Sequence, residues 1–339
     1  MNSSRYLDSI LSEGPFSPLR NLLFDGVTGL PTLPLVLETL KDAAAEQHRL
    51  GIIFIDTARL QPVEEEQGWE FVDQLFRHMR EFLDTILYRF APLHVFPLHR
   101  MIGDNLLLVL SSGDPKKPIS GPQTAHVAAQ LEQSMNEYLA ARLGPALQPF
   151  GRTFQGHSML EYNSDVRFER LMARAINQAF QNAVNQEQLV LQLQVRQLQE
   201  IVNANSIHIF FQPIFNLENL KEILGHESLS RGPVGTPFES ADFMFSLAGN
   251  CGMLNRLENL CQLRLISSLK KEQSENLVFI NLEPSFLESD QYRKLALFNQ
   301  DSVQPDRVVL EITERVAIRD YDVVARSLDD IRSRGFRLA

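Results

Sequence analysis

Apolar and polar positions alternate along this chain in three distinct ways. Between about residues 20 and 180, strand and helix patterns follow one another. LVLETLKDAAAEQ follows the turn-rich GVTGLPTLP (26–34) and has helical spacing, and RLGIIFIDTA reads as a central strand. Residues 69–90 predict a long helix, after a polar loop at 61–68. LHVFPLHRMIGDNLLLVLSS (93–112) predicts two strands joined by a turn at IGDN. Residues 122–143 read as helix, 144–160 as strands and 164–183 as helix, with a short helical segment at 1–20. The expectation for 21–182 is an α/β sandwich with mixed pairing.

A different pattern occupies 183–204. Val184, Leu191, Val195, Leu198 and Val202 follow heptad-like spacing among Gln, Glu and Asn, which predicts a connecting helix with one apolar stripe. The stripe fits either a dimer seam or packing against the chain's own domains, and the second is the simpler reading.

From 205 to 339 the pattern changes again. IHIFFQPIFN, ILGHESLSR, ENLVFINLEP and DRVVLEIT read as strands. Helical stretches fall at 239–249, 254–269, 286–298 and 319–335, and RGFRLA begins another strand. A βα rhythm of this kind opens a (β/α) barrel or an open doubly wound sheet. Three to four βα units cannot close an eight-stranded barrel. The expectation is therefore the first half of a barrel that belongs to a longer protein.

Composition narrows the function classes. The chain has 339 residues, 44% hydrophobic and 22% charged, which is a globular balance. Its formal net charge of -10 leaves no basic surplus to neutralise DNA or RNA, so nucleic acid is not an expected partner. Two cysteines, Cys251 and Cys261, make neither a disulfide framework nor a zinc cluster. The N-terminus lacks a signal-peptide core, and no apolar run reaches the roughly 18 residues of a membrane span. A cytoplasmic location is the expectation.

Three polar residues share one placement. Glu227 follows ILGH, Asn281 follows LVFI and Glu311 follows RVVL, each at or near the C-terminal end of a strand. In a barrel or parallel sheet those ends converge on the ligand face. Two carboxylates and an amide oxygen are hard ligands that suit Mg²⁺ or Mn²⁺ better than zinc. Arg231 adds a candidate grip on phosphate. A single glutamate at a strand end is more often a solvated rim residue; the joint pattern is what raises the chemistry.

FFQPIFNLENLKEILGHESLSRG resembles the opening of an EAL domain, the family that hydrolyses the bacterial second messenger cyclic di-GMP. Its Gln-Pro-Ile segment falls on Gln212-Pro213-Ile214. Its Glu-Ala-Leu-x-Arg signature falls on Glu227-Ser228-Leu229-Ser230-Arg231. FINLEP carries the strand-end asparagine as Asn281, and LEITE supplies Glu311 and Glu314. The resemblance implies a TIM-like barrel in which Glu227, Asn281 and Glu311 bind Mg²⁺ or Mn²⁺, with Glu227 catalytic. It implies that Gln212, Leu229 and Arg231 line the substrate pocket, and that water attacks one phosphodiester to give pGpG. The family's Asp-Asp pair and later lysine, glutamate and glutamine lie beyond this sequence, so the fragment is expected to be inactive without them.

The first domain resembles a GGDEF domain, the family that makes cyclic di-GMP from GTP. DGVTGLPT matches its opening, Asp56 ends its metal-binding strand, and Ile102-Gly103-Asp104-Asn105-Leu106 takes the place of its signature after Arg100. The departures imply a degenerate site. Asn105 replaces a metal-binding glutamate, Ile102 replaces a glycine needed for close nucleotide approach, and Gln61, Glu64 and Glu65 replace a lysine and an Asn-Asp pair. LHVF at 93–96 replaces the inhibitory Arg-x-x-Asp. No diguanylate cyclase activity is expected, and a regulatory or dimerising role is.

Two readings of function follow. The first is a metal-dependent cyclic di-GMP phosphodiesterase controlled by an inactive GGDEF domain. The second is a non-catalytic cyclic di-GMP effector or signalling scaffold. A homodimer through the connecting helix or the EAL domain fits either.

Overall fold

The computed structural model describes residues 23–57, 63–64, 67–99, 105–144, 152–270, 276–282, 287, 293, 297, 304–312 and 320–339. The chain folds as two compact units, Met1–Leu191 and Gln192–Ala339.

In the first unit, α1 (Leu33–Gln47), β1 (Arg49–Asp56), α2 (Trp69–Ile86) and a 3-10 turn (Leu87–Phe90) come first. They lead to the hairpin strands β2 (His94–His99) and β3 (Leu106–Ser111). Then come α3 (Gly121–Leu143), β4 (Phe154–Glu161) and α4 (Phe168–Asn203). The sheet is antiparallel throughout, in the order β2-β3-β1-β4. Helices cover both of its faces. Ile53 and Ile55 pack with Leu106, Leu108 and Leu110 against α2 and α3. Leu50, Ile52 and Phe54 pack with Leu107 and Val109 against α1 and α4. A strand buried on both faces shows no alternation, which is why RLGIIFID reads as an unbroken apolar run.

Residues expected as strands at 144–160 form, in their described part, the single strand β4; residues 145–151 lie outside the described residues. The helices expected at 164–183 and 183–204 are one continuous helix, α4. Its first half packs into the first unit through Phe168, Met172, Ala175, Ile176, Ala179 and Ala183. Its last turns pack into the second unit through Leu198, Ile201 and Val202. The heptad stripe therefore splits: Leu198 and Val202 are core, whereas Leu191 is exposed. The expected 1–20 helix lies outside the described residues.

The second unit holds β5 (His208–Phe215), β6 (Ile223–Arg231), α5 (Ala241–Asn250), α6 (Leu254–Leu269), β7 (Leu277–Leu282), β8 (Val308–Ile312), α7 (Tyr321–Ser333) and β9 (Arg337–Leu338). Its sheet runs β5-β6-β7-β8-β9. β5 and β6 pair antiparallel as a hairpin, and the later strands are parallel. The regular βα rhythm expected from 205 onward thus begins only at β6. Val278, Ile280, Leu282, Val308 and Leu310 turn one face of this sheet to Leu265 of α6 and Val324 and Ile331 of α7. That helix-covered face leaves the other to the polar residues below. The helical stretch expected at 286–298 falls mostly outside the described residues.

Candidate functional site

Strand register puts the sequence-derived residues on one sheet face. Gln212 of β5 lies opposite Glu227 of β6, and Asn281 of β7 lies beside Glu311 of β8. Glu227 is level with Phe279, two positions before Asn281, so it shares that residue's face. Leu229 and Arg231 follow Glu227 at period two and point the same way. Their neighbours Ile280 and Leu310 belong to the opposite, helix-covered core.

Side chains meet across the strands. The Asn281 amide nitrogen donates to Glu227 Oε1 at 3.0 Å. Burial, and then the Glu227 charge, raise the pKa of the Glu311 carboxyl above its ordinary value. Arg231 Nη1 donates to the carbonyl oxygen of Ser230 at 2.9 Å. Gln212 is exposed.

Glu227, Leu229, Arg231 and Asn281, but neither Gln212 nor Glu311, border a cavity of about 470 Å³ at the C-terminal ends of β6 and β7, together with Ser228, Ser230 and Ile280 of the opposite sheet face, Ser240 and Asp242 of the α5 start, and Phe245. On the helix-covered side of the sheet this cavity meets α6, which presents Glu258, Cys261, Gln262 and Leu265 at helical spacing. Sequence reasoning missed this helix face. Glu258 and Gln262 interrupt what would otherwise be an apolar core stripe, and that interruption was the available signal. Burial drives the Cys261 thiol pKa up to about 12, against a smaller lowering by its hydrogen bond with Ser230. Cys261 is a packing residue with no nucleophilic character at neutral pH.

The donor set fits a hard divalent cation. Glu227 and Glu311 are close enough for one charge to disfavour the other, a cost that a cation held by both would offset. Asn281 would add an amide oxygen to such a set once its side chain turned, since it is the amide nitrogen that faces Glu227. Among the described residues no group of three or more His, Cys, Asp or Glu side chains is placed to hold a metal ion. Glu314 lies outside the described residues.

In the first unit, Asp56 ends β1 and is 5% exposed. Asn105 Oδ1 accepts from the Thr57 backbone N–H and hydroxyl, both at 3.3 Å. Gly103 and Asp104 lie outside the described residues, as do Gln61, Glu65, Arg100 and Ile102. No helix among the described residues is long and apolar enough to cross a membrane.

The class defined so far is a mixed α/β chain whose second unit gathers two carboxylates, an amide and an arginine on one sheet face. Residues 195–339 match the EAL domain family. No curated protein sequence matches the chain. Among solved structures, the chain is similar to a Vibrio cholerae LapD S helix-GGDEF-EAL structure bound to c-di-GMP. Identity there is 12% over 98% of this chain and 79% of that one, with a TM-score of 0.37. It is also similar to the Xanthomonas citri FimX EAL domain in complex with c-di-GMP, at 15% identity over 45% of this chain and 62% of that one, TM-score 0.37. An EAL domain protein from Listeria monocytogenes EGD-e is similar at 19% identity over 41% of this chain and 56% of that one, TM-score 0.33.

Proposed function

We propose that the second unit binds cyclic di-GMP together with Mg²⁺ or Mn²⁺, and that the intact protein hydrolyses it to pGpG. The observation that carries this reading is the meeting of Glu227, Asn281 and Glu311 from three neighbouring strands, inside a segment that matches the EAL domain family. Glu227, Asn281 and Glu311 would hold the cation, whose chemistry there would be to polarise a phosphodiester and activate a water. Arg231 grips a non-bridging phosphate oxygen, releasing its bond to Ser230. Gln212 and Leu229 line the same face and orient the dinucleotide. Burial and the Glu227 charge raise the Glu311 carboxyl pKa, and a cation held beside it would favour the ionised form.

The first unit is a degenerate GGDEF-like regulatory module without cyclase activity. The commitment of the Asn105 side-chain oxygen to Thr57 supports this, because that oxygen then ties two backbone segments together. The protein works in the cytoplasm, and a homodimer through α4 or the second unit is compatible with this reading. Chromatographic detection of pGpG from the intact protein with Mn²⁺ tests the reaction. Turnover should vanish in Glu227→Ala. Cyclic di-GMP binding without turnover would instead favour an effector.

A further inference from the structure

A second cavity, of about 830 Å³, lies entirely within the first unit, between the turn before β2, the segment after β3 and the start of α3. Its floor is apolar: Phe90, Pro92, Leu93, Ile119 and Val127. Its rim carries Arg89, His94, Lys117 and His126, and a single acid, Asp114. Asp114 is drawn into its own turn, where Oδ1 accepts the Lys116 N–H at 2.9 Å. Among the described residues neither Arg89 nor Lys117 forms an ion pair. Gly113 allows this turn to close, because a Cβ there would sit 2.9 Å from the Pro92 carbonyl oxygen. On a chain of net charge -10, Arg89 and Lys117 around an apolar floor, with Asp114 the one acid among the lining residues and turned to its own loop, are a local reversal.

We propose that this cavity is a docking site for an acidic peptide segment of a partner protein, with apolar side chains seated on the floor and carboxylates facing the rim. Arg89 and Lys117 supply steering and orientation, and the floor supplies burial. A small inorganic anion would use the rim alone and leave Phe90, Pro92 and Leu93 wet. An apolar peptide would leave the rim cations without a role. The site is independent of the metal and nucleotide chemistry of the second unit.

The test is fluorescence anisotropy on the full chain with a short fluorescein-labelled peptide alternating glutamate and leucine. The same peptide with lysine for glutamate, and inorganic pyrophosphate as competitor, complete it. The acidic peptide should bind saturably, and the lysine peptide should not. Arg89→Glu/Lys117→Glu should weaken binding by about tenfold or more, as expected when charge complementarity is reversed. The milder Arg89→Gln/Lys117→Gln should weaken it less, and Arg174→Glu, on the exposed side of α4, should leave it unchanged. Equal binding by the charge-reversed variant, or binding of the lysine peptide, would overturn the proposal. So would a failure of the acidic peptide to bind, or its displacement by pyrophosphate at equal concentration, which would assign the rim to a small phosphate anion.

Discussion

Asn281 and Glu227, 54 positions apart, are joined by a 3.0 Å hydrogen bond from amide nitrogen to carboxylate oxygen. The bond fixes the Glu227 carboxylate relative to β7, the strand whose neighbour carries Glu311. Asn281→Ala should loosen Glu227 and remove one oxygen ligand together. Titration of Mn²⁺ by calorimetry should show affinity falling by about tenfold to a hundredfold, the range typical when a ligand or its support is lost. The melting temperature without metal should change little, because Asn281 is exposed.

The Glu311 carboxyl gives a stability prediction with a definite sign. Its folded pKa is raised by burial and by Glu227, so its contribution is fully present below the unfolded pKa and is lost as pH rises through the folded one. In chelator-treated protein, Glu311→Gln should therefore raise the melting temperature at about pH 7. The gain should shrink toward about pH 4, where the wild-type carboxyl is protonated as well. Scanning calorimetry across that range checks it, and a gain that grows on acidification would contradict it.

Backbone crowding sets a third expectation. Gly156 of β4 lies against α4 so closely that an added Cβ would collide with the Ala179 carbonyl oxygen and the Ala183 nitrogen. Gly156→Ala must push helix from sheet, at a cost of about 1–3 kcal/mol or more. Chemical denaturation should show the loss, and Gly26→Ala, where nothing lies within 4 Å, should not.

Cysteine chemistry separates two thiols. Cys261 is 6% exposed with its pKa pushed up to about 12, whereas Cys251 is only partly buried. Iodoacetamide at about pH 8 should label Cys251 and spare Cys261 until the second unit unfolds. Peptide mapping reads this directly.

How much of this was legible beforehand depends on what apolar patterning encodes. Glu227, Asn281 and Glu311 could be placed at strand ends because each follows a short apolar run, and run length marks strand position. Strand direction leaves no such mark, so the β5–β6 hairpin read as the start of a βα series. α4 was divided at 183 because its pattern changes from one unit's core to a sparse stripe, although the backbone continues unbroken. Glu258 and Gln262 escaped notice because polar residues on a helix read as solvent-facing; here they face the cavity.

The central claim is that Glu227, Asn281 and Glu311 together hold a cation that recruits cyclic di-GMP. Calorimetric titration of cyclic di-GMP into the protein, with Mn²⁺ and with chelator, tests it most directly. The account predicts tight binding with Mn²⁺, weaker binding with chelator, and no metal-dependent difference in Glu227→Ala/Glu311→Ala. Binding that is the same with and without Mn²⁺, and unchanged in the double variant, would contradict it.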